Sequence, residues 1–132
     1  MSRSARTPEE QANLDLVLEM FNNVLVPLDA HAVDRYISSD YIQHSRMTRP
    51  GVDALKAFLD WARKESPEAE HRLKRAFVDG DHVVLHYHVV RYPGDNGFAV
   101  MDIFRVADGK IAEHWDVVQD VPTDSPNPLP MF

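Results

Sequence analysis

The chain has 132 residues, of which 44% are hydrophobic, and its length and composition are typical of one globular domain with a core of its own. It contains no cysteine, which excludes disulfides and thiolate metal sites, and its formal net charge of −7 argues against nucleic acid or an anionic membrane as a partner. No apolar run is long enough to span a membrane, and the polar N-terminus lacks a signal-peptide pattern, so we expect a cytoplasmic protein.

The first half of the chain predicts helices. Thr7-Pro8-Glu9-Glu10 is a capping box with proline at the first helical position, and apolar residues then recur at helical spacing until Pro27. Asp29 can cap a second, shorter helix. In chain order this half predicts a disordered arm at 1–6, a helix at 8–27, a short helix at 29–36, a break at 38–40, an extended segment at 41–44 and a helix at 52–64.

The second half predicts a strand meander. Turn residues at Asp79-Gly80-Asp81 and a loop at 92–97 separate runs of β-branched and aromatic residues. A proline-rich tail at 120–132 should be extended, with Met131-Phe132 docked on the body. The strands are expected at about 70–78, 82–91, 98–106 and 110–119. Helices followed by a meander predict a single α+β domain over 1–132, with helices on one face of a curved, mainly antiparallel sheet.

The last hairpin carries ionisable side chains where apolar ones are expected. Asp102 lies between Val100 and Phe104, and His114 and Asp116 flank a tryptophan. A carboxylate that faces a core is costly unless it is paired or used. The hairpin therefore holds either a buried polar network or a site.

The turn of this hairpin decides which side chains meet. A three-residue loop at 107–109 would place Asp102 on the same face as Asp116, whereas a two-residue loop at 108–109 would pair Asp102 with Trp115 and separate the acids. We favour the three-residue loop because it gathers the polar groups. One face would then carry Phe98, Val100, Asp102, Phe104, Ala112, His114, Asp116 and Val118, and the other Met101, Ile103, Arg105, Ile111, Glu113, Trp115 and Val117.

Both faces of the hairpin are largely apolar, so both should be covered. The helices can cover only one of them. We therefore expect a homodimer formed through the outer sheet face, where Met101, Ile103, Trp115 and Val117 lie.

Several segments together resemble a known family. They are Tyr41-Ile42-Gln43-His44, residues 78–84 (VDGDHVV), residues 102–105 (DIFR), residues 108–117 (DGKIAEHWDV) and the closing 127–132. Their order and spacing resemble the SnoaL-like branch of the nuclear transport factor 2-like (NTF2-like) superfamily, and in particular bacterial proteins described as SnoaL-like aldol-condensation enzymes. The resemblance implies a cone-shaped α+β barrel, three N-terminal helices on a strongly curved sheet, a pocket between them, and a dimer.

The resemblance also implies a chemistry. In the polyketide cyclases of this branch, an aspartate on the last long strand acts as acid and base in an intramolecular aldol closure without a metal. Asp116 is its counterpart by position. Those cyclases have a histidine on the preceding strand, where this chain has Asp102.

The two carboxyl groups are the first catalytic candidates. Asp116 could abstract a proton next to a carbonyl if an apolar pocket raises its pKa, and the alternative is a carboxylate tied to His114, Asp102 or a backbone donor. Asp102 could share a proton with Asp116, and its alternative is a salt bridge to Arg105 or Arg91.

The remaining candidates are histidines and aromatic residues. His44 is expected at the pocket rim, where it would donate to a substrate oxygen, and its alternative is a locally bonded loop histidine. His114 should orient Asp116. His71 starts a strand and is interpreted as exposed. His88, Trp61, Phe104 and Tyr41 are expected among the pocket residues that contact substrate.

We therefore predict a cofactor-independent enzyme that acts on an apolar carbonyl compound, with Asp116, Asp102 and His44 as its catalytic residues. No metal is expected, although His86 and His88 could form a metal site with Asp102, Asp116 or His114. The alternatives are a non-catalytic, dimeric module that binds a small ligand, and an enzyme like the epoxide hydrolases of the same superfamily, which place an arginine between two acids.

Overall fold

The computed structural model describes residues 5–132, so most of the predicted N-terminal arm lies outside the described residues. Helices form one layer of the fold. The first α-helix continues into a π-helical segment at Phe21–Leu25, and a 3-10 turn at Ala30–Ala32 leads into the second. The α-helices are α1 (Pro8–Met20), α2 (Val33–Tyr36) and α3 (Val52–Glu65).

Both helix caps predicted from the sequence, at Thr7 and Asp29, are confirmed. The Thr7 hydroxyl accepts a hydrogen bond from the Glu10 backbone N–H at 3.0 Å, and the Glu10 carboxylate accepts one from the Thr7 N–H at 3.0 Å. Asp29 accepts a hydrogen bond from the His31 N–H at 2.9 Å. These caps satisfy backbone donors that a helix end leaves free.

Five strands form one sheet in the order β1-β5-β4-β3-β2. The strands are β1 (Ile37–Gln43), β2 (Glu70–Asp79), β3 (His82–Val90), β4 (Phe98–Ala107) and β5 (Lys110–Asp120). β1 runs parallel to β5, and the other pairs are antiparallel. The α+β prediction is confirmed, but β1 and β2 are both free edges, so the curled sheet is open and does not close into a barrel.

The second helix ends at Tyr36 as predicted, but residues 38–40, which were expected only to break it, already belong to β1, so the extended segment begins earlier than the predicted residue 41. The register of β1 against β5 slips between Ile37 and Ile42. This irregularity lets polar side chains remain largely exposed on an edge strand, while Ile37 and Tyr41 on either side are buried.

The β4–β5 hairpin has a two-residue turn, so the predicted three-residue loop is wrong. Asp108 and Gly109 both have left-handed backbones, with φ of 52° and 73°, as a type I′ turn requires. Next to this turn, Val106 pairs with Ile111 and Arg105 with Glu113, which leaves Ala112 as an extra residue in β5. This bulge shifts the strand pairing by one residue, so that beyond it Asp102 and Asp116 lie on the same face, as the three-residue loop would have placed them.

The bulge has two consequences. Asp102 pairs with Asp116, so the predicted polar face is confirmed from Phe98 to Phe104 and from His114 to Val118. Ile111 lies before the bulge and is 1% exposed in the core, which contradicts its predicted place on the outer face.

Residues of β3 from His82 to Val89 alternate between the outer face and the core. Val83, Leu85, Tyr87 and Val89 are buried in the cluster that also contains the inner faces of α1 and β4. The histidines of β3 at 82, 86 and 88 lie on the opposite, outer face, because successive strand residues point to opposite sides.

The C-terminal tail docks on that outer face, as predicted. The Phe132 ring stacks on His88 with 4.4 Å between ring centroids and on His86 with 5.5 Å. The Lys74 ammonium lies 5.4 Å from the centre of the same ring.

Among the helices, none within residues 5–132 is long and apolar enough to cross a membrane.

Candidate active site

A cavity of about 270 Å³ lies between α3 and the inner face of the sheet. Six of the eight residues that the sequence predicts for the site line it. Apolar side chains of α3, among them Phe58 and Leu59, form the wall opposite the strands. The six predicted residues are Tyr41, Trp61, Asp102, Phe104, His114 and Asp116.

Asp116 is the half-buried carboxylate of this cavity. Its Oδ2 accepts a hydrogen bond from the Ser45 hydroxyl at 2.8 Å, and the Ser45 oxygen accepts one from the Met47 N–H at 3.2 Å. Burial raises the pKa of Asp116 above its usual value, while the Ser45 hydrogen bond and the nearby His114 act in the opposite direction. The carboxyl group is thus adjusted towards proton exchange.

Asp102 is 2% exposed and has both carboxylate oxygens bonded. Its Oδ2 accepts from the Tyr87 hydroxyl at 2.7 Å, and its Oδ1 lies 2.8 Å from His114 Nε2. Burial, and then the charge of Asp102, raise the pKa of Tyr87 well above its ordinary value, so Tyr87 stays a phenol that donates. Asp102 therefore supports the cavity wall and has no free oxygen for a substrate.

The salt-bridge alternatives for Asp102 are wrong. Arg105 pairs with Glu113 at 2.9 Å, and Arg91 pairs with Asp95 at 2.8 Å. The buried partners of Asp102 are instead Tyr87 and His114.

His114 bonds to Asp102 and Gln43, and not directly to Asp116 as predicted. Its Nδ1 lies 2.6 Å from Gln43 Oε1, and its ring stacks on Phe104 with 4.8 Å between centroids. Gln43 is oriented by two further bonds, since its Oε1 accepts from the Ser45 N–H at 3.1 Å and its Nε2 donates to the Tyr41 hydroxyl at 3.0 Å.

His44 lies on the outer face of the sheet, so its predicted place at the pocket rim is wrong. Its Nε2 lies 2.8 Å from Glu113 Oε2, and its ring stacks flat on Trp115 at 4.9 Å. Residues 41 and 43 of the same extended segment face the cavity, and alternation therefore turns His44 away from it.

His88 also lies outside the cavity, contrary to the prediction. Its Nε2 lies 2.7 Å from the Asn96 carbonyl oxygen, and its ring stacks on Phe132. The alternative metal site built from His86, His88 and the carboxylates is wrong for the same reason, because the sheet separates these histidines from Asp102 and Asp116.

The structure adds polar groups that sequence reasoning missed. Tyr87, Gln43 and Ser45 connect the network, and His71 lines the cavity instead of being exposed. Burial lowers the pKa of His71 to about 4, opposed by the charge of Asp102. Alternation along β3 could have predicted that Tyr87 points inward, because it shares a face with apolar residues of that strand. Nothing in the sequence distinguishes Ser45 from other loop serines.

Three groups could hold a cation. One ligand atom each from Asp102, His114 and Asp116 lies within 4.8 Å of the others. Both His114 nitrogens and both Asp102 oxygens are already hydrogen-bonded, so a cation would have to displace those bonds. The arrangement thus fits a hydrogen-bonded network better than an open metal site.

Similar proteins share this fold. A SnoaL-like polyketide cyclase candidate from Jannaschia sp. CCS1 superposes with a TM-score of 0.71 and 20% identity, over 88% of this chain and 91% of the other. A polyketide cyclase candidate from Bacillus cereus has a TM-score of 0.74 and 19% identity, over 86% of this chain and 78% of the other. A hydroxylase candidate from Streptomyces galilaeus has a TM-score of 0.70 and 20% identity, over 84% of this chain and 81% of the other. No curated protein sequence matches significantly.

The family is shown by the sequence as well as by the fold. The SnoaL-like domain matches residues 17–114, which include α3 and most of the sheet. Solved structures of the same shape cover most of the chain. This chain is therefore a member of the SnoaL-like family, with the cone-shaped α+β fold of the NTF2-like superfamily.

Proposed function

We propose that the protein is a small-molecule enzyme in which Asp116 transfers a proton on an apolar carbonyl substrate, as in an aldol-type cyclase or an isomerase. The observation that carries the proposal is the state of the Asp116 carboxylate. Ser45 binds its Oδ2, whereas Oδ1 has no hydrogen-bond partner among the described residues, and burial raises the pKa of the group. One oxygen is thus positioned and the other is free to react.

The cavity supplies the rest of the arrangement. An apolar substrate would lie against Phe58, Leu59 and Trp61 of α3, with a C–H bond next to its carbonyl directed at Asp116 Oδ1. Tyr41 lines the same cavity and accepts a hydrogen bond from Gln43, which leaves its own O–H free to donate to the substrate oxygen. Burial raises the pKa of Tyr41, so it remains a donor.

The chemistry needs no electron acceptor. The Asp116 carboxylate takes the proton, and the electrons of the C–H bond form an enolate whose oxygen is stabilised by the Tyr41 hydroxyl. Return of the proton to another carbon gives an isomer. Attack of the enolate carbon on a second carbonyl forms a C–C bond, and protonated Asp116 then neutralises the new alkoxide.

Hydrogen–deuterium exchange tests the proposal without knowledge of the natural substrate. The probe is 2-tetralone, an apolar ketone with acidic hydrogens next to its carbonyl, followed by NMR in D₂O. We expect the protein to accelerate exchange above the buffer rate, and Asp116→Asn to remove the acceleration while the probe still binds. Asp120→Asn is the matched control, because it makes the same substitution on the same strand at an exposed residue outside the cavity.

The same experiment separates enzyme from binding module. Binding of the probe with exchange at the buffer rate would favour the non-catalytic alternative and contradict the proposal. Acceleration that survives Asp116→Asn would assign the base elsewhere.

The epoxide hydrolase alternative is not favoured by the geometry. Among the described residues, Arg91 is the arginine that lines the cavity. Its Nε and Nη2 donate to the two oxygens of Asp95 at 2.8 and 3.0 Å. That side chain is therefore held by a loop carboxylate and does not bridge Asp102 and Asp116.

A further inference from the structure

His71 is a polar residue of the cavity wall that the proposed mechanism does not use. It lies near the start of β2 and lines the cavity wall. Within residues 5–132, neither nitrogen of its ring has a hydrogen-bond partner. Its Nδ1 is fully buried and unsatisfied, whereas Nε2 is not fully buried and is the ring nitrogen that a ligand could reach. Buried polar groups without a partner are rare, and each needs an explanation.

The His71 ring is held in place by aromatic neighbours. The Phe21 ring meets it edge-on with 6.3 Å between centroids, and the Tyr87 ring lies 6.0 Å away. Burial among these rings lowers its pKa to about 4, so the imidazole is neutral near pH 7. A neutral imidazole has one N–H and one lone pair, and it can bind a hydroxyl or a carbonyl oxygen without a charge.

Apart from the Tyr41 hydroxyl, which the proposed mechanism uses, the polar groups around Asp116 are already occupied. Tyr87 and His114 bind Asp102, Gln43 binds His114, and Ser45 binds Asp116. His71 is on β2 and Asp116 on β5, with two strands between them in the sheet. The cavity therefore has a reactive polar end at Asp116 and a separate, unoccupied hydrogen-bonding group at His71.

We propose that His71 forms a second substrate subsite, which binds an oxygen function remote from the reacting carbonyl. The substrate class is then an apolar molecule with at least two oxygen groups, a carbonyl at Asp116 and a hydroxyl or second carbonyl at His71. Assignment of the first group rests on the proposed function. The subsite itself rests on the cavity and on the unpartnered ring.

Matched ligand pairs test the subsite by equilibrium binding. One pair is 2-tetralone and 6-hydroxy-2-tetralone, and the longer pair is 3-deoxyestrone and estrone, so that each pair differs by one hydroxyl group at a different reach. Binding is followed by calorimetry and by the intrinsic tryptophan fluorescence, to which Trp61 in the cavity wall and Trp115 on the outer face both contribute. In at least one pair we expect the hydroxyl to tighten binding about fivefold, the usual size of one added hydrogen bond.

His71→Phe should reduce that gain to less than about twofold while the parent ketone still binds. His88→Phe is the matched control on the outer face and should keep the full gain. If neither pair shows a hydroxyl gain, or if the gain survives His71→Phe, the proposal is overturned.

Two further measurements keep the test decisive. If His71→Phe does not fold, His71→Gln retains a hydrogen-bonding group and should keep part of the gain, and His71→Leu should lose it. In the wild type, the His71 ring ¹⁵N resonances should shift with the hydroxylated probe and not with its parent. Asp116→Asn should keep the hydroxyl preference, so the subsite can stand even if proton transfer fails.

Discussion

Asp116 combines two opposing influences within one carboxyl group. Burial, and to a smaller extent the charge of Asp102, raise its pKa, whereas the Ser45 hydroxyl at 2.8 Å and the nearby His114 lower it, so the Ser45 hydrogen bond is one of the contacts that set the protonation of the proposed base. As a base, Asp116 is active when ionised, and activity should therefore be lost as the pH falls through its raised pKa.

Ser45→Ala should move the acid limb of the pH–rate profile to higher pH. The variant removes the donor that favours the ionised form, so burial acts with less opposition and the pKa of Asp116 rises further. The measurement is 2-tetralone exchange as a function of pH. Ser39→Ala on the exposed part of β1 is the control and should leave the limb in place; an unchanged limb in Ser45→Ala would contradict this account.

His71 should make the fold less stable in acid. Its pKa is about 4 in the folded state and about 6.5 in the unfolded chain, so between these values the unfolded state binds more protons. Stability therefore falls as the pH drops from 6.5 to 4, by at most roughly 3 kcal/mol in total.

The check is urea unfolding of wild type and His71→Phe at several pH values between 4 and 7. Phenylalanine at position 71 cannot bind a proton, so the variant lacks this one contribution to the pH dependence. The difference in unfolding free energy between the two proteins should therefore shrink or reverse towards pH 4. A constant difference across the range would show that His71 is not held neutral by the fold.

The histidines show where reasoning from single residues fails. His44 and His88 were assigned to the site for their chemistry, yet period-2 alternation turns both to the outer face. For β3 the buried run Val83, Leu85, Tyr87 and Val89 was the stronger signal, because burial of apolar side chains fixes the register of a strand. His71 was harder, since β2 changes register between Leu73 and Arg75 and its inward side cannot be read by counting.

The β4–β5 hairpin shows how far one element can be predicted. Its strand ends agree with the expectation to within a residue, because alternation and the Asp-Gly turn are local signals. The predicted turn length was wrong, because the turn has two residues and not three. The predicted face of Asp116 was nevertheless correct, because the bulge at Ala112 compensates for the shorter turn. Ala112 is neither a glycine nor a proline, the residues that mark bulges in strands, so the sequence carries no sign of that bulge.

Entry into β4 depends on close backbone contact at Gly97. A Cβ at this position would lie 1.9 Å from the Val89 carbonyl oxygen, and the backbone is left-handed with φ of 68°. Gly94 is left-handed too, with φ of 86°, but a Cβ there meets nothing within 4 Å. The two glycines therefore separate backbone strain from steric overlap.

Gly97→Ala should be much more destabilising than Gly94→Ala. Strain alone should cost Gly94→Ala about 1 kcal/mol, whereas Gly97→Ala must also move β3 or β4 and should cost more than about 3 kcal/mol. Chemical denaturation of both variants gives the comparison. Equal costs would mean that β4 can shift away from Val89 without loss.

Pairing across the whole sheet aligns apolar side chains on its outer face. Phe77 pairs with Val84, Val84 with Ile103, and Ile103 with Trp115, which forms one row across four strands. Met101 and Val117 pair in the next row, and both are exposed. The docked tail covers the β2–β3 side near His88, which leaves the β4–β5 side open.

The general architecture followed from the sequence, but its long-range connections did not. Helix periodicity, caps and strand alternation are local, so they predicted three helices and a meander. The parallel pairing of β1 with β5 joins segments about 70 residues apart, as in Gln43 with His114, and no local pattern encodes it. That pairing brings Gln43 and Ser45 to the carboxylates, which is why the sequence located Asp102 and Asp116 but not their partners.

We propose that two copies associate through the apolar row of the outer face, because an exposed patch of this kind usually marks an interaction surface. Ile103→Glu places a charge in the row and should convert the dimer into a monomer at micromolar concentration, as measured by size-exclusion chromatography with light scattering. Val26→Glu is the matched control, since Val26 is 38% exposed and Ile103 37%, but Val26 lies in the helical layer. It should stay dimeric. A wild type that is monomeric under these conditions, or a dimer that survives Ile103→Glu, would exclude this face as the interface.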